Sequence, residues 1–198
     1  MERIKGNLAL QEESLEEWIG GQPVMMAPPV SNHNRIARNL SGIFVPYLRG
    51  KQCEYFGDHE GVFLSDGEEY IPDGMIVCDP DKIKWEGVHG APDLVIEILS
   101  PGTARYDKGR KKDVYEQSGV KEYWIISPTE LTIEQYVLQD GKFILRDIYQ
   151  KYTAHLLRYM TEEERTAVVH KFRCSLYDDL WINVSDVFDR VSIEGERE

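Results

Sequence analysis

The sequence predicts an α/β fold, because a strand, a helix and a second strand follow one another from Ala91 to Ile126 and a hairpin comes directly after them. Ala91 to Leu99 is an almost unbroken apolar run containing Val95, Ile96 and Ile98, the pattern of a central strand covered on both faces. Ser100-Pro101-Gly102 ends it, a helix is predicted from about Thr103 to Ser118 with Gly119 as its cap, and Glu122 to Ile126 reads as another buried strand. Such a crossover implies parallel pairing of its two strands. Leu131 to Leu138 and Lys142 to Tyr149 read as an antiparallel hairpin, with Asp140-Gly141 supplying the turn.

Ahead of this unit, Leu8 to Trp18 reads as a short acidic helix ending at Gly20-Gly21, and Pro23 to Ala27 as a strand. Ser31 is placed to cap a helix whose apolar residues Ile36, Leu40, Ile43, Phe44, Tyr47 and Leu48 recur at spacings of three and four, with Pro46 kinking or ending it. Glu54 to Phe56 and Gly61 to Leu64 look like short strands, and Tyr70 to Cys78 like a stronger one, followed by a loop from Asp79 to Gly90. Beyond the hairpin, Thr161 and Glu164 form a capping box for a helix reaching about Val169. Phe172 to Val184 reads as strand and turn, and Ser185 to Arg190 as a last short helix. With no internal repeat and no linker composition, residues 1–198 are expected to form a single domain.

Charge narrows the function classes. A net charge of -12 weighs against a protein that coats nucleic acid without discrimination, since that needs a basic face. The distribution is uneven, however: Arg105, Lys108, Arg110, Lys111 and Lys112 cluster, whereas acids dominate Glu12 to Glu17 and Asp178 to Glu198. No apolar run approaches the roughly 20 residues that span a bilayer, and Met1 to Leu15 holds too many charges for a signal peptide, so a cytoplasmic protein is expected. Cys53, Cys78 and Cys174 show no zinc spacing and no disulfide framework, and are expected to be buried or incidental thiols.

Two acids stand where acids are costly. Asp73 follows Tyr70-Ile71-Pro72 on an apolar strand, and Glu97 lies inside Val95-Ile96-Glu97-Ile98-Leu99, where an unpaired carboxylate would cost several kcal/mol or take up a proton. A divalent cation removes that cost. Two acids from two strands with a lysine-rich helix after the second are the parts of a Mg²⁺-dependent phosphodiesterase site, with the Ile98 carbonyl as a further oxygen and a lysine to orient water or meet developing charge. Asp107, Lys111 and Tyr115 are spaced by four and share one helix face, which lets Lys111 be aimed at the acids. Asp93 points to the same strand face as Glu97 and is a secondary candidate. His33 is read as a capping or packing histidine rather than a phosphate contact or proton shuttle.

Asp73, Val95-Ile96-Glu97-Ile98-Leu99-Ser100-Pro101, Asp107, Lys111, Tyr115, Gly119-Val120 and Glu122-Tyr123-Trp124 together resemble the Uma-type family of bacterial restriction endonucleases. The likeness begins near Glu17 and Met25-Met26-Ala27-Pro28-Pro29, passes through His33, Arg35, Ile36 and Asn39-Leu40, and reaches about Tyr136. It implies the PD-(D/E)XK, restriction-endonuclease-like fold, a mixed sheet flanked by helices, with Mg²⁺, or alternatively Mn²⁺, and hydrolysis of DNA phosphodiester bonds. On that pattern Asp73 and Glu97 are the metal-binding acids. Leu99 stands where the superfamily carries its lysine, and Lys111 on the helix is the matching residue. Glu17 matches an early family acid with a water-mediated metal contact, whereas Gly20 and Gln22 replace acids common at that edge.

Two other readings are open: a catalytically weak relative that binds nucleic acid or protein, and a metal-dependent hydrolase of a small phosphorylated molecule. Cutting both strands of a duplex is simplest with two sites related by twofold symmetry, so a homodimer is expected.

Overall fold

Alternation of apolar side chains builds two six-stranded sheets in the protein, whose computed structural model describes residues 16–25, 30–57, 59–64 and 67–192. In chain order the elements are β1 (Glu16–Ile19), β2 (Gln22–Met25), α1 (Ser31–Leu48), β3 (Glu54–Phe56), β4 (Val62–Phe63), β5 (Glu69–Tyr70), β6 (Gly74–Val77), β7 (Ile83–Lys84), β8 (Gly87–His89) and β9 (Leu94–Ile98). There follow α2 (Ala104–Asp107), α3 (Arg110–Ser118), β10 (Glu122–Ser127), β11 (Thr132–Gln139), β12 (Lys142–Gln150), α4 (Ala154–Leu157), α5 (Glu162–Thr166), β13 (Lys171–Arg173), β14 (Trp181–Asn183) and α6 (Val184–Val187). The first sheet runs β2-β1-β5-β4-β8-β7, the second β12-β11-β10-β9-β6-β3, and β13 pairs with β14 alone.

The second sheet is mixed. β9 and β10 are parallel, joined by α2 and α3, and antiparallel pairs flank them on both sides. Leu94, Ile96 and Ile98 face α1, where Ile36, Leu40 and Phe44 close the core. Each such side chain contributes roughly 1.5–3 kcal/mol on leaving water. Val95 and Glu97 face the opposite way, toward Tyr70, Tyr115 and Tyr123. Val62, Met75, Val77 and Val88 fill the space between the two sheets.

Several expectations change. The helix over Leu8 to Trp18 is not formed where it can be seen: residues 8–15 lie outside the described residues, and Glu16 to Trp18 belong to β1. The reason is local. Gly20 and Gly21 both hold left-handed φ angles, 66° and 70°, which make a hairpin turn to β2, and Glu17 and Ile19 alternate inward with period two. The strand read over Tyr70 to Cys78 is split, because Pro72 offers no N–H: Tyr70 closes β5 in the first sheet and Gly74 opens β6 in the second. Asp79 to Gly90 is no plain loop but holds a 3-10 turn and the β7–β8 hairpin, with Trp85 fully exposed at its tip. The helix over Thr103 to Ser118 breaks into α2 and α3 at Lys108-Gly109, whereas Gly119 caps α3 at φ 87° and the Thr161–Glu164 capping box forms. Pro46 sits in the last turn of α1 without ending it.

The cysteines are a correction as well. Cys174 is a free, buried thiol, but Cys53 and Cys78 form a disulfide. They lie one position beyond the Glu54–Val77 pair of β3 and β6, so pairing that depends on sheet register, invisible in the spacing of the residues, brings them together. Among the described residues no helix is long and apolar enough to cross a membrane.

The disulfide closes a sequence separation of 25 residues, which by loop-closure entropy stabilises the fold by about 3 kcal/mol. The Cys53→Ser, Cys78→Ser double variant should therefore unfold at clearly lower urea concentration than the oxidised protein. Coincident denaturation curves for the two would show that the bond contributes nothing.

Candidate active site

Lys111 is buried to 1 % exposure, and three carboxylates surround it. Its Nζ lies 2.7 Å from Glu97 Oε1, 3.0 Å from Glu17 Oε1 and 3.3 Å from Asp107 Oδ1. These groups come from four elements. α2 ends on Asp107 and α3 restarts at Arg110, and the close turn between them requires Gly109, since a Cβ there would meet the Arg105 carbonyl oxygen at 2.8 Å. That turn keeps Asp107 and Lys111 facing each other although they belong to separate helices. β9 supplies Glu97, and β1 supplies Glu17, whose Oε1 also accepts the Ile71 N–H at 2.8 Å.

Glu97 has a hydrogen-bond donor on one side and a second acid on the other. Tyr115 Oη donates to its Oε1 at 3.0 Å beside Lys111. Asp73, just before β6, is its cross-strand neighbour one step beyond the Gly74–Ile96 pair. Asp73 Oδ2 accepts the Ile98 N–H at 2.6 Å, and its Oδ1 lies 3.0 Å from His33 Nε2. Behind these groups stands Glu68, paired with Arg110 and accepting from Tyr70 Oη at 2.6 Å and from the Gly20 N–H.

The electrostatics follow from burial and an excess of acids. Burial pushes Glu97 well above the usual carboxylate range; Lys111 pulls it back, but Asp107, Asp73 and Glu17 add to the rise. Asp107 is raised in the same way, by burial first, with Lys111 opposing. Burial acts to lower Lys111, but Glu97, Glu17 and Asp107 more than reverse it, so the ammonium stays charged well past neutrality. Glu68 is lowered despite its burial, by Arg110, Tyr70 and the Gly20 N–H.

The structure thus gathers Glu17, Glu97, Asp107, Lys111 and Tyr115 around one point, with Asp73 beside them. Asp93 is not among them. It stands at the other end of the β9 segment, about 13 Å along the strand from Glu97, where Oδ1 pairs with Lys121 at 2.7 Å and Oδ2 accepts the Cys78 N–H at 2.7 Å. Of the basic cluster only Lys111 turns inward; Lys108 pairs with Glu134, Arg110 with Glu68, and Lys112 lies over the Tyr136 ring. His33, Glu68 and Tyr70 were not read as site residues. For His33 the available signal was its place in the helical stripe with Ile36, Ala37 and Leu40, an apolar stripe that begins on a polar residue.

Donor chemistry decides whether a cation fits. All candidates are hard oxygens, and the acids outnumber the one ammonium. Among the described residues no group of three or more His, Cys, Asp or Glu side chains is placed to hold a metal ion. Mg²⁺ keeps several waters and takes as few as one or two carboxylates, so a site for it would draw on Asp73 and Glu97.

The family model described as Uma2, "Putative restriction endonuclease", matches residues 6–163. The chain belongs to the Uma2 family. Two uncharacterized proteins of Synechocystis are similar to it: one is 30% identical over 132 residues, covering 66% of this chain and 70% of the relative, the other 28% over 148 residues, covering 71% and 84%. The crystal structure of a "putative nuclease" from Anabaena variabilis superimposes with a TM-score of 0.67, covering 91% of this chain and 93% of that one at 19% identity. At that identity the likeness shows the fold, which for this Uma2 protein is restriction-endonuclease-like.

Two substitutions separate the roles of this cluster. Glu97→Gln leaves Lys111 with Glu17 and Asp107, so the variant should fold at pH 7 with an unchanged or raised Tm in metal-free buffer. Wild-type Glu97 binds its proton at higher pH when folded than when unfolded, so stability falls as pH rises from the ordinary glutamate range through the raised value, and the variant's profile should be flatter there. Lys111→Met leaves three buried acids without their cation and should cost about 3–5 kcal/mol. Equal Tm losses for the two would contradict this assignment.

Proposed function

We propose that this protein is a Mg²⁺-dependent DNA endonuclease, in which Asp73 and Glu97 bind the metal and Lys111 assists. One observation carries the reading: a buried lysine and four acids converge, from separate elements, at the end of the β6–β9 pair in a chain of a restriction-endonuclease family. When bound, the cation supplies an activated water and a positive centre beside the phosphate.

The chain's own groups do the remainder. Tyr115 Oη and the Ile98 N–H hold the Glu97 and Asp73 carboxylates, so that little reorganisation is left for the reaction itself. Lys111, charged across the working range, would donate from Nζ to a phosphate oxygen by releasing one of the three carboxylates it now faces. Tyr70, Tyr115 and Tyr123 form a wall that keeps bulk water from one side. DNA is the substrate on this reading, and a twofold homodimer would present one site to each strand.

Nicking of supercoiled plasmid tests it. With Mg²⁺ or Mn²⁺ the wild type should nick, chelator should stop it, and Asp73→Asn or Glu97→Gln should abolish it. Lys108→Ala or Lys112→Ala should chiefly weaken DNA binding and reduce its salt slope by about one phosphate contact each. A wild type that leaves plasmid intact in both metals would sink the reading; hydrolysis of small phosphate esters without salt dependence would move the substrate from polymer to small molecule.

A further inference from the structure

His33 occupies a position that packing alone does not explain. In α1 the buried residues His33, Ile36, Ala37, Leu40 and Phe44 form one stripe against the second sheet. Four of the five are apolar, as such a stripe requires. The fifth, in the first turn, extends beyond the sheet to the end where β6 begins, and there it meets Asp73. The side chains of His33 and Asp73 are only 9 % and 14 % exposed, and Nε2 lies 3.0 Å from Oδ1.

A carboxylate offers about four acceptor sites, two on each oxygen. At Asp73 one site on Oδ2 is taken by the Ile98 N–H and one on Oδ1 by His33. The two donors come from different elements, a strand and a helix, so together they fix both the position of the carboxyl group and its rotation about the Cβ–Cγ bond. One acceptor site on each oxygen is left over. With Ile98 alone the group could still turn about that single hydrogen bond.

We propose that His33 is a positioning residue: its Nε2–H fixes the rotation of the Asp73 carboxylate and so sets the orientation in which Asp73 meets a divalent cation. The inference rests on the metal-binding reading above and adds to it a residue that touches neither metal nor substrate. Outer groups that orient a ligand typically change metal affinity by 10-fold to 100-fold.

The test uses the full chain and Mn²⁺ itself, followed by calorimetry and by the electron paramagnetic resonance of free Mn²⁺. His33→Gln can place an amide N–H where Nε2 stands; His33→Asn reaches only as far as Nδ1; His33→Leu fills the stripe without a donor. Wild type and His33→Gln should bind Mn²⁺ within about threefold of each other, while Asn and Leu should lose about tenfold or more. Thermal denaturation in metal-free buffer should show His33→Leu folded and at least as stable as His33→Asn. In the cleavage assay the Leu variant should lower kcat and leave KM for DNA unchanged.

Equal Mn²⁺ affinity in all four proteins overturns the inference and leaves the nuclease reading standing, as does a Gln variant no better than Asn. A wild type that binds no Mn²⁺ overturns the nuclease reading, and is seen before any variant is compared. If the variants fail to fold, the imidazole ¹⁵N spectrum of metal-free wild type against Asp73→Asn decides: the Nε2 signal of His33 should shift, and an unmoved signal overturns the inference.

Discussion

A buried ammonium needs anions around it, and much of the local architecture serves that need. Lys111 stays charged out of water because carboxylates face it, Glu97, Glu17 and Asp107 among them, in more than the number one ammonium needs. Each acid arrives by a separate route: Glu97 on the parallel strand β9, Glu17 on the hairpin strand β1, Asp107 at the end of α2. The breaks in the chain nearby, at Gly109 between α2 and α3 and at Pro72 between β5 and β6, let these routes meet. The ion cluster therefore ties the first sheet, the second sheet and the crossover helices at one place.

The same cluster is over-supplied with acid. One ammonium does not neutralise three close carboxylates with Asp73 beside them, and the raised proton affinities of Glu97 and Asp107 express that surplus. A structural ion pair is better balanced. Glu122 shows the contrast: it is wholly buried in β10, yet Trp124 Nε1, Gln135 Nε2 and the Ser175 N–H all donate to it, and among the described residues no Lys or Arg pairs with it. Burial alone therefore does not distinguish a site acid from a structural one; the company it keeps does.

This contrast also explains what could be read in the sequence. Glu97 was legible because a charged residue inside an unbroken apolar strand has few explanations, and Lys111 and Tyr115 because a spacing of four aligns them on one helix, whereas Asp107 joins them through the Gly109 turn rather than through a continuous helix. The parallel β9–β10 pair and the Asp140-Gly141 hairpin were legible from local patterns. Asp93 was misplaced because period two identifies the strand face and says nothing of distance along it. Glu68 and the Cys53–Cys78 bond were illegible for a common reason: each depends on which strands become neighbours, a property of register that no local pattern carries, whereas His33 left only the trace of a polar residue at the head of an apolar helical stripe. Gly20-Gly21 was read as a helix end, but it makes a hairpin turn, with Glu17 and Ile19 alternating inward on the strand before it.

At Tyr70 the chain leaves one sheet and at Gly74 it joins the other, with Asp73 on the bridge. Glu17 moves with the first sheet and Glu97 with the second, so the distance between them is a measure of how the two layers lie. Val62, Met75, Val77 and Val88 are the bearing on which those layers rest. Close-packed interiors transmit small displacements rather than absorb them. Trimming one of these methyl-bearing side chains would let one layer slip over the other and change how the charge of Lys111 is divided between the sheets.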